Sequence, residues 1–344
     1  MKAVFIKAHG GNDILEFGDQ PDPVPGAGEV LVRIEAAALN RLDLFVRDGI
    51  PGVPVAFPHV PGADGAGVVE ALGAGVKGPA PGTRVVLQPG LSCGECEFCL
   101  AGERSLCVGF RILGEHLPGT FAEKVAVPRA NVYPAPRRLS AEKAAAFPLA
   151  SLTAWRMLVT RAALRPGETV LVHGVGGGVS TFAVQIAKLC GASRVFVTSS
   201  SAEKRARAKE LGADEAIDYT TTDVGKAIRE LTGKRGVDVV VDSVGAATWR
   251  HSLTAAAKKG RIVTCGATSG PGPTENINVI FWKQLSILGS TMGTDAEFAA
   301  VLAAVDAGRL EPAVDAVFPL ADARKAYERM ASGAGFGKIV LKVA

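Results

Sequence analysis

Thr169-Val170-Leu171-Val172-His173-Gly174-Val175-Gly176-Gly177-Gly178-Val179-Ser180 runs from an apolar strand into a helix through four glycines. Strand, glycines and helix occur here in the order a dinucleotide site requires. Without Cβ atoms the backbone can approach a pyrophosphate, and the unpaired N–H groups and dipole at a helix N-terminus favour the anion. The spelling Gly174-x-x-Gly177-x-x-Ser180 departs from the usual Gly-x-Gly-x-x-Gly at its last residue, where the small Ser180 still allows close helix-to-strand packing. A glycine turn that only packs helix on strand is the competing reading; the order of the three parts favours a ligand. His173, at the strand end, reads as a packed residue.

Downstream the same rhythm repeats. A helix over 179–190 stops at Gly191, the run 194–198 precedes a charged helix reaching Leu211, and 237–242, 261–265 and 286–290 are further short runs apolar on both faces. Strands of that kind belong to a parallel sheet covered by helices on both sides. The expected fold class is therefore α/β, with a doubly wound Rossmann cofactor domain. Upstream, the runs 29–34, 65–70, 83–87 and 121–127 are β-rich and punctuated by Pro and Gly, which predicts a compact β-barrel. A helical pattern from Ser151 to Leu164, closed by Arg165-Pro166-Gly167-Glu168, separates the two parts. After residue 290 come a helix over 295–307, a short apolar run at Val317, a helix over 321–330 and a last strand over 338–343.

A chain of 344 residues has room for two domains, and 48% hydrophobic with 21% charged residues is a globular balance. The formal net charge of +4 is spread among interleaved acids and bases, as in Ala202 to Glu210, which reads as a solvated helix face. No nucleic-acid partner is expected. Apolar stretches such as Ala144 to Trp155 are cut by Pro148, and Met1 to Lys7 has no signal-peptide core, so no membrane association and a cytoplasmic location are expected.

Four of the six cysteines, Cys93, Cys96, Cys99 and Cys107, form C-x2-C-x2-C-x7-C, close enough in sequence to surround one tetrahedral ion. With no histidine in the set, the pattern predicts one closed, structural zinc with no open position for water. The cofactor is read from the end of the second α/β strand, where an NAD site usually carries an acidic residue. Here Thr198 to Lys204 offers hydroxyls and a cation suited to a 2′-phosphate, and Glu203 already lies within the helix. NADPH is expected, with NADH the less favoured choice. Ser200 and Ser201 could alternatively cap the next helix.

With these residues in place, the whole chain resembles the medium-chain dehydrogenase/reductase superfamily, which includes zinc-type alcohol dehydrogenases and quinone oxidoreductases. The resemblance implies a GroES-like β-barrel catalytic domain over 1–149, with the zinc lobe at 92–108, completed by 291–344, and a Rossmann domain over 150–290. It also implies an active cleft between them. Implied cofactor contacts are Gly174, Gly176, Gly177, Gly178, Val179, Ser199, Ser200, Lys204, Tyr219, Cys265 and Gly266. Where zinc-dependent members hold a catalytic metal, this chain has Asn40, then Ala63 between Gly62 and Asp64, then Leu149. These side chains cannot replace thiolate and imidazole, so no catalytic zinc is expected. Asn40 to Gly49 is similar to the quinone oxidoreductase branch, which implies that Asn40 lines the nicotinamide pocket, that Asp43 and Arg47 hold its loop in shape, and that Thr153 neighbours the nicotinamide.

Reduction of a simple carbonyl gains from a Lewis acid, whereas a quinone or conjugated enone spreads the incoming charge itself. Positioning and one hydrogen bond suffice for such acceptors. The expected activity is NADPH-dependent reduction of a small-molecule quinone, enone or related carbonyl by a homodimer or homotetramer, with the proton source unassigned. An NAD(P)-dependent alcohol dehydrogenase and a non-catalytic NADPH-binding protein are the alternatives.

Overall fold

Six Val- and Ile-rich runs lie side by side and all parallel, in the order Glu215–Ile217, Arg194–Thr198, Thr169–Val172, Val237–Asp242, Ala256–Thr264 and Ser286–Gly289. In chain order this is 3-2-1-4-5-6, the doubly wound arrangement. The computed structural model describes residues 1–272 and 277–343. Its chain divides into two units, Met1–Ala150 with Gly293–Ala344, and Ser151–Met292, the second of which holds this sheet. The central strand is enclosed: Leu171 sits between Phe196 and Val240 in register, and Val170, Leu171 and Val172 are all fully buried. Leu171, Phe196, Ile228, Val240, Leu253 and Ile262 share one apolar cluster.

Two expectations are corrected in this unit. Ser286–Gly289 reads as apolar on both faces, yet Ile287 is 38% exposed, the strand lying at the sheet edge with one neighbouring strand among the described residues. The helix expected from Ser151 to Leu164 begins at Pro148, runs as α-helix to Trp155 and widens into a π-turn over Arg156–Arg161. There the N–H of Ala162 reaches back five residues to the Met157 carbonyl at 2.9 Å. Such wide turns recur at functional sites.

The first unit is built around Glu29–Ala38. This strand pairs antiparallel with Asp64–Leu72 along its length, with Lys124–Pro128 over its first half and with Lys338–Lys342 over its last residues. Because it is bordered on both sides, its residues are buried almost continuously and do not alternate. The run expected over 121–127 starts its strand at Lys124, while the Phe121 carbonyl accepts from the Val4 N–H at 2.8 Å. Val32, Ile34, Leu39, Phe121, Tyr327 and Leu341 meet in the core. The register sets Ala38 opposite Asp64 on one side and opposite Val340 on the other. That places the N-terminus of the last strand next to Asn40. No helix among the described residues is long and apolar enough to cross a membrane.

Candidate functional site

The glycine turn has the backbone its composition implies. Gly174 and Gly176 have φ of 63° and 138°, conformations an L side chain resists, and a Cβ at Gly176 would lie 3.0 Å from the Lys204 side chain. Gly177 is the N-cap of the helix Gly178–Leu189 and offers no side-chain cap, so the first N–H groups are left for an anion. Ser180 does more than save space. Its hydroxyl accepts from the Gly176 N–H at 3.2 Å and donates to the Gly177 carbonyl at 3.0 Å, bracing the turn from beneath. His173 is 1% exposed with neither ring nitrogen hydrogen-bonded, and burial pushes its pKa down to about 4, so it is a neutral packed ring.

The serines after Arg194–Thr198 divide their labour. Ser201 accepts from the Lys204 N–H and caps the helix Ala202–Glu210, whereas the Ser200 hydroxyl accepts from the Tyr219 hydroxyl at 3.2 Å. Ser199 is buried and accepts from the Ser201 N–H. The Lys204 ammonium lies over the glycine turn, 3.2 Å from where a Gly176 Cβ would be. The nearest acid after the third strand, Asp218, pairs with Arg205 at 2.9 Å and accepts twice from Thr220, which together hold its pKa below the usual carboxylate value. Ser200, Tyr219 and Lys204 thus present donors and a cation near the end of Arg194–Thr198, where the sequence has no acid before Glu203. Cys265 is half-buried and Gly266 exposed just beyond the strand Ala256–Thr264, at the same carboxyl end of the sheet. Thr153 is buried and its hydroxyl meets the Met292 sulfur at 4.0 Å.

Cys93, Cys96, Cys99 and Cys107 converge so that their sulfurs all lie within 4.8 Å of one another, with 3.5 Å from Cys96 to Cys99 and from Cys107 to Cys93, and 3.9 Å from Cys93 to Cys99. Zn–S bonds of about 2.3 Å at tetrahedral angles separate sulfurs by about 3.8 Å, so the set fits zinc. The N–H groups of Cys93 and Gly109 donate to the Cys107 sulfur at 3.3 Å, which lowers the pKa of that thiol, and the Cys96 N–H donates to the Cys93 sulfur at 3.4 Å.

The positions matched to catalytic-metal ligands also come together, around a different cation. Asp64, fully buried, accepts from the Asn40 side-chain amide at 2.9 Å, from the Leu149 N–H at 2.8 Å and from the Lys338 ammonium at 2.8 Å. Lys338, 3% exposed, also donates to the Asn40 carbonyl oxygen. Ala63 brings no donor atom, Leu149 brings only a committed N–H, and the Asn40 oxygen faces an ammonium. This donor set does not fit a catalytic zinc. Lys338 was not among the residues singled out from sequence; its strand neighbours are apolar, and only the pairing with Ala36 to Ala38 reveals it.

Asp43 anchors the loop beside this cluster. Its carboxylate accepts from the Asn40 N–H at 2.6 Å and the Gly62 N–H at 3.1 Å, joining the start of the helix Arg41–Asp48 to the Gly62 turn. Arg47 bonds Asn12 and Asp48 and lies 5.8 Å from the Tyr327 ring centre, a structural role like that of Asp43. Burial lifts the Asp43 pKa from 3.8 to about 7, outweighing those two N–H donors and the Lys338 charge. An acid raised in the folded state binds more protons folded than unfolded between these values, so its contribution to stability falls as pH rises from about 4 to about 7 and is level above. Thermal melts should show wild type losing about 2–4 kcal/mol relative to Asp43→Asn over that window. A pH-independent difference between the two proteins would remove the argument.

Residues 26–137 match the family model for the alcohol dehydrogenase GroES-like domain, and residues 178–307 the model for zinc-binding dehydrogenase. The chain is 37% identical to a zinc-type alcohol dehydrogenase-like protein of Schizosaccharomyces pombe over 92% of its own length and 91% of the relative's. It is 33% identical to a quinone oxidoreductase of Pseudomonas aeruginosa over 99% of each chain. A solved structure of an NAD-dependent alcohol dehydrogenase is 50% identical and superposes with a TM-score of 0.96, covering all of both chains. The GroES-like unit, the doubly wound sheet and these matches together make the chain an oxidoreductase belonging to the zinc-binding dehydrogenase family, within the medium-chain dehydrogenase/reductase superfamily.

Proposed function

We propose that the protein is an NADPH-dependent reductase of quinones, conjugated enones or related carbonyls, carrying one structural zinc and working without a catalytic one. The observation that carries this reading is the committed set of Asn40, Asp64 and Lys338, where zinc-dependent relatives would need thiolate and imidazole. When bound, the reduced dinucleotide supplies a hydride from its nicotinamide ring. The residues of this chain hold its phosphates at the Gly174–Gly178 turn, recognise the 2′-phosphate through Ser200, Lys204 and Tyr219, and leave an acceptor to be oriented beside Asn40. A quinone or enone delocalises the arriving charge, so fixed hydrogen-bond donors meet its electrostatic need.

The test is a zinc count with an acceptor panel. Active protein should hold a single zinc per chain and oxidise NADPH at least about tenfold faster with a quinone or enone than with an aliphatic aldehyde. Two zincs per chain would refute the metal-free pocket. The 50% identity to an NAD-dependent alcohol dehydrogenase favours a second reading, NAD-linked alcohol oxidation on the same scaffold. Alcohol oxidation exceeding quinone and enone reduction in the same preparation would establish that reading instead.

A further inference from the structure

Asn40 is held by opposite charges on its two ends. Its carbonyl oxygen accepts from the Lys338 ammonium, while its Nδ2 donates to Asp64 at 2.9 Å. A flipped amide would turn its N–H groups toward the ammonium and its oxygen toward the carboxylate, exchanging two charge-assisted hydrogen bonds for two repulsions. The amide therefore has one orientation. In that orientation one Nδ2 hydrogen goes to Asp64 and the other has only a long contact, 3.5 Å, with the Ala38 carbonyl.

The clamp is built by the fold. Leu39 N–H donates to the Ile339 carbonyl at 2.9 Å, continuing the pairing of Ala36 to Ala38 with Val340 to Lys342, so the next step of the ladder brings Lys338 beside Asn40. Asp64 arrives from the other side, opposite Ala38. Its second oxygen holds the Leu149 N–H, so one carboxylate ties together two of the three positions matched to metal ligands, and the lysine supplies the positive charge.

We infer that Lys338 is a positioning residue for the reduction: its buried ammonium, paired with Asp64, fixes the Asn40 amide so that one N–H stays available as a directed donor to the reacting oxygen. This inference rests on the proposed function, in which Asn40 borders the reacting group. Lys338 itself touches no substrate; it acts by denying Asn40 its alternative rotamer, a form of preorganisation that raises turnover more than affinity.

The experiment compares wild type, Lys338→Arg and the double variant Lys338→Met/Asp64→Asn. The double change removes both charges together, so no uncompensated buried ion is left to unfold the protein, and melting curves verify that it is folded. Solvent exchange of the Asn40 side-chain amide hydrogens, assigned by the resonance missing in Asn40→Ser, reads the clamp without turnover. In the double variant this exchange should rise at least about tenfold, kcat should fall at least about tenfold, and the KM for the acceptor should change by less than about threefold. Lys338→Arg, which keeps a cation and donors, should recover most of kcat. A folded double variant with unchanged amide exchange, or with kcat within twofold of wild type, overturns the inference. Wild-type protein that reduces none of the acceptors refutes the proposed function instead, and the exchange measurement still decides the clamp.

Discussion

Stripping zinc from the cysteine lobe, or replacing Cys99 by Ser, should open residues 92–108 to proteolysis at least about a hundredfold faster, equivalent to about 3 kcal/mol of lost local stability. The lobe has little else to order it. Its regular structure is the two-residue pairing of Gly90–Leu91 with Arg111–Ile112, a four-residue helix over Glu97–Leu100 and a short 3-10 turn over Arg104–Leu106. Three of its apolar side chains face outward: Leu100 is 77% exposed, Leu106 50% and Val108 80%. Arg104 bonds the Ser92 hydroxyl at 2.7 Å within the lobe and pairs outside it with Asp295. With so little buried area, the proposed zinc would supply the free energy that folds the segment. Limited digestion followed by mass spectrometry measures this, and the parallel-sheet unit should keep its protection throughout. Equal cleavage rates for metal-loaded and metal-free protein would show that the four thiolates are not what holds the lobe.

The parts legible in the sequence share a property: their determinants lie within about twenty residues of one another. The glycine turn, the C-x2-C-x2-C-x7-C lobe and the strand–helix alternation are local patterns, and the fold class followed from them. Lys338 is the opposite case. On strand alternation it shares a face with Lys342, yet Lys338 is 3% exposed and Lys342 lies open to solvent. What separates them is pairing with residues 274 and 298 positions away, Asp64 and Asn40, which no window along the chain contains. The π-turn after Trp155 was hidden for another reason: Arg156–Arg161 mixes apolar and polar residues as an ordinary helix does, and one widened turn leaves no mark on residue type. Ser200 and Ser201 were legible only as a pair. Which of them caps the helix and which faces Tyr219 depends on the loop after the third strand, 19 residues on.

That division between the two serines supplies the second large expected effect. Ser200→Asp combined with Lys204→Ser should reverse the proposed cofactor preference, from NADPH toward NADH, shifting the ratio of kcat/KM values by at least about a thousandfold. The new carboxylate would stand beside the Tyr219 hydroxyl, where it can accept from ribose hydroxyls and repel a 2′-phosphate. Loss of Lys204 removes the cation lying over Gly176. Neither change should disturb the helix start, because the cap is Ser201, which accepts from the backbone N–H of residue 204 and not from its side chain. Stability should therefore stay within about 1 kcal/mol of wild type, so that a change in cofactor choice is not a change in folding. The single change Ser201→Ala supplies the contrast: it should lower stability by about 1 kcal/mol and leave the NADPH to NADH ratio nearly as it was. Steady-state kinetics with both coenzymes at saturating acceptor decide the matter. If wild type already prefers NADH, or if Ser201→Ala alters the ratio as much as the double change does, the 2′-phosphate is not read by Ser200 and Lys204. The missing carboxylate at the end of Arg194–Thr198 would then need another explanation, and Asp218, which pairs with Arg205 and accepts twice from Thr220, is the next residue to test.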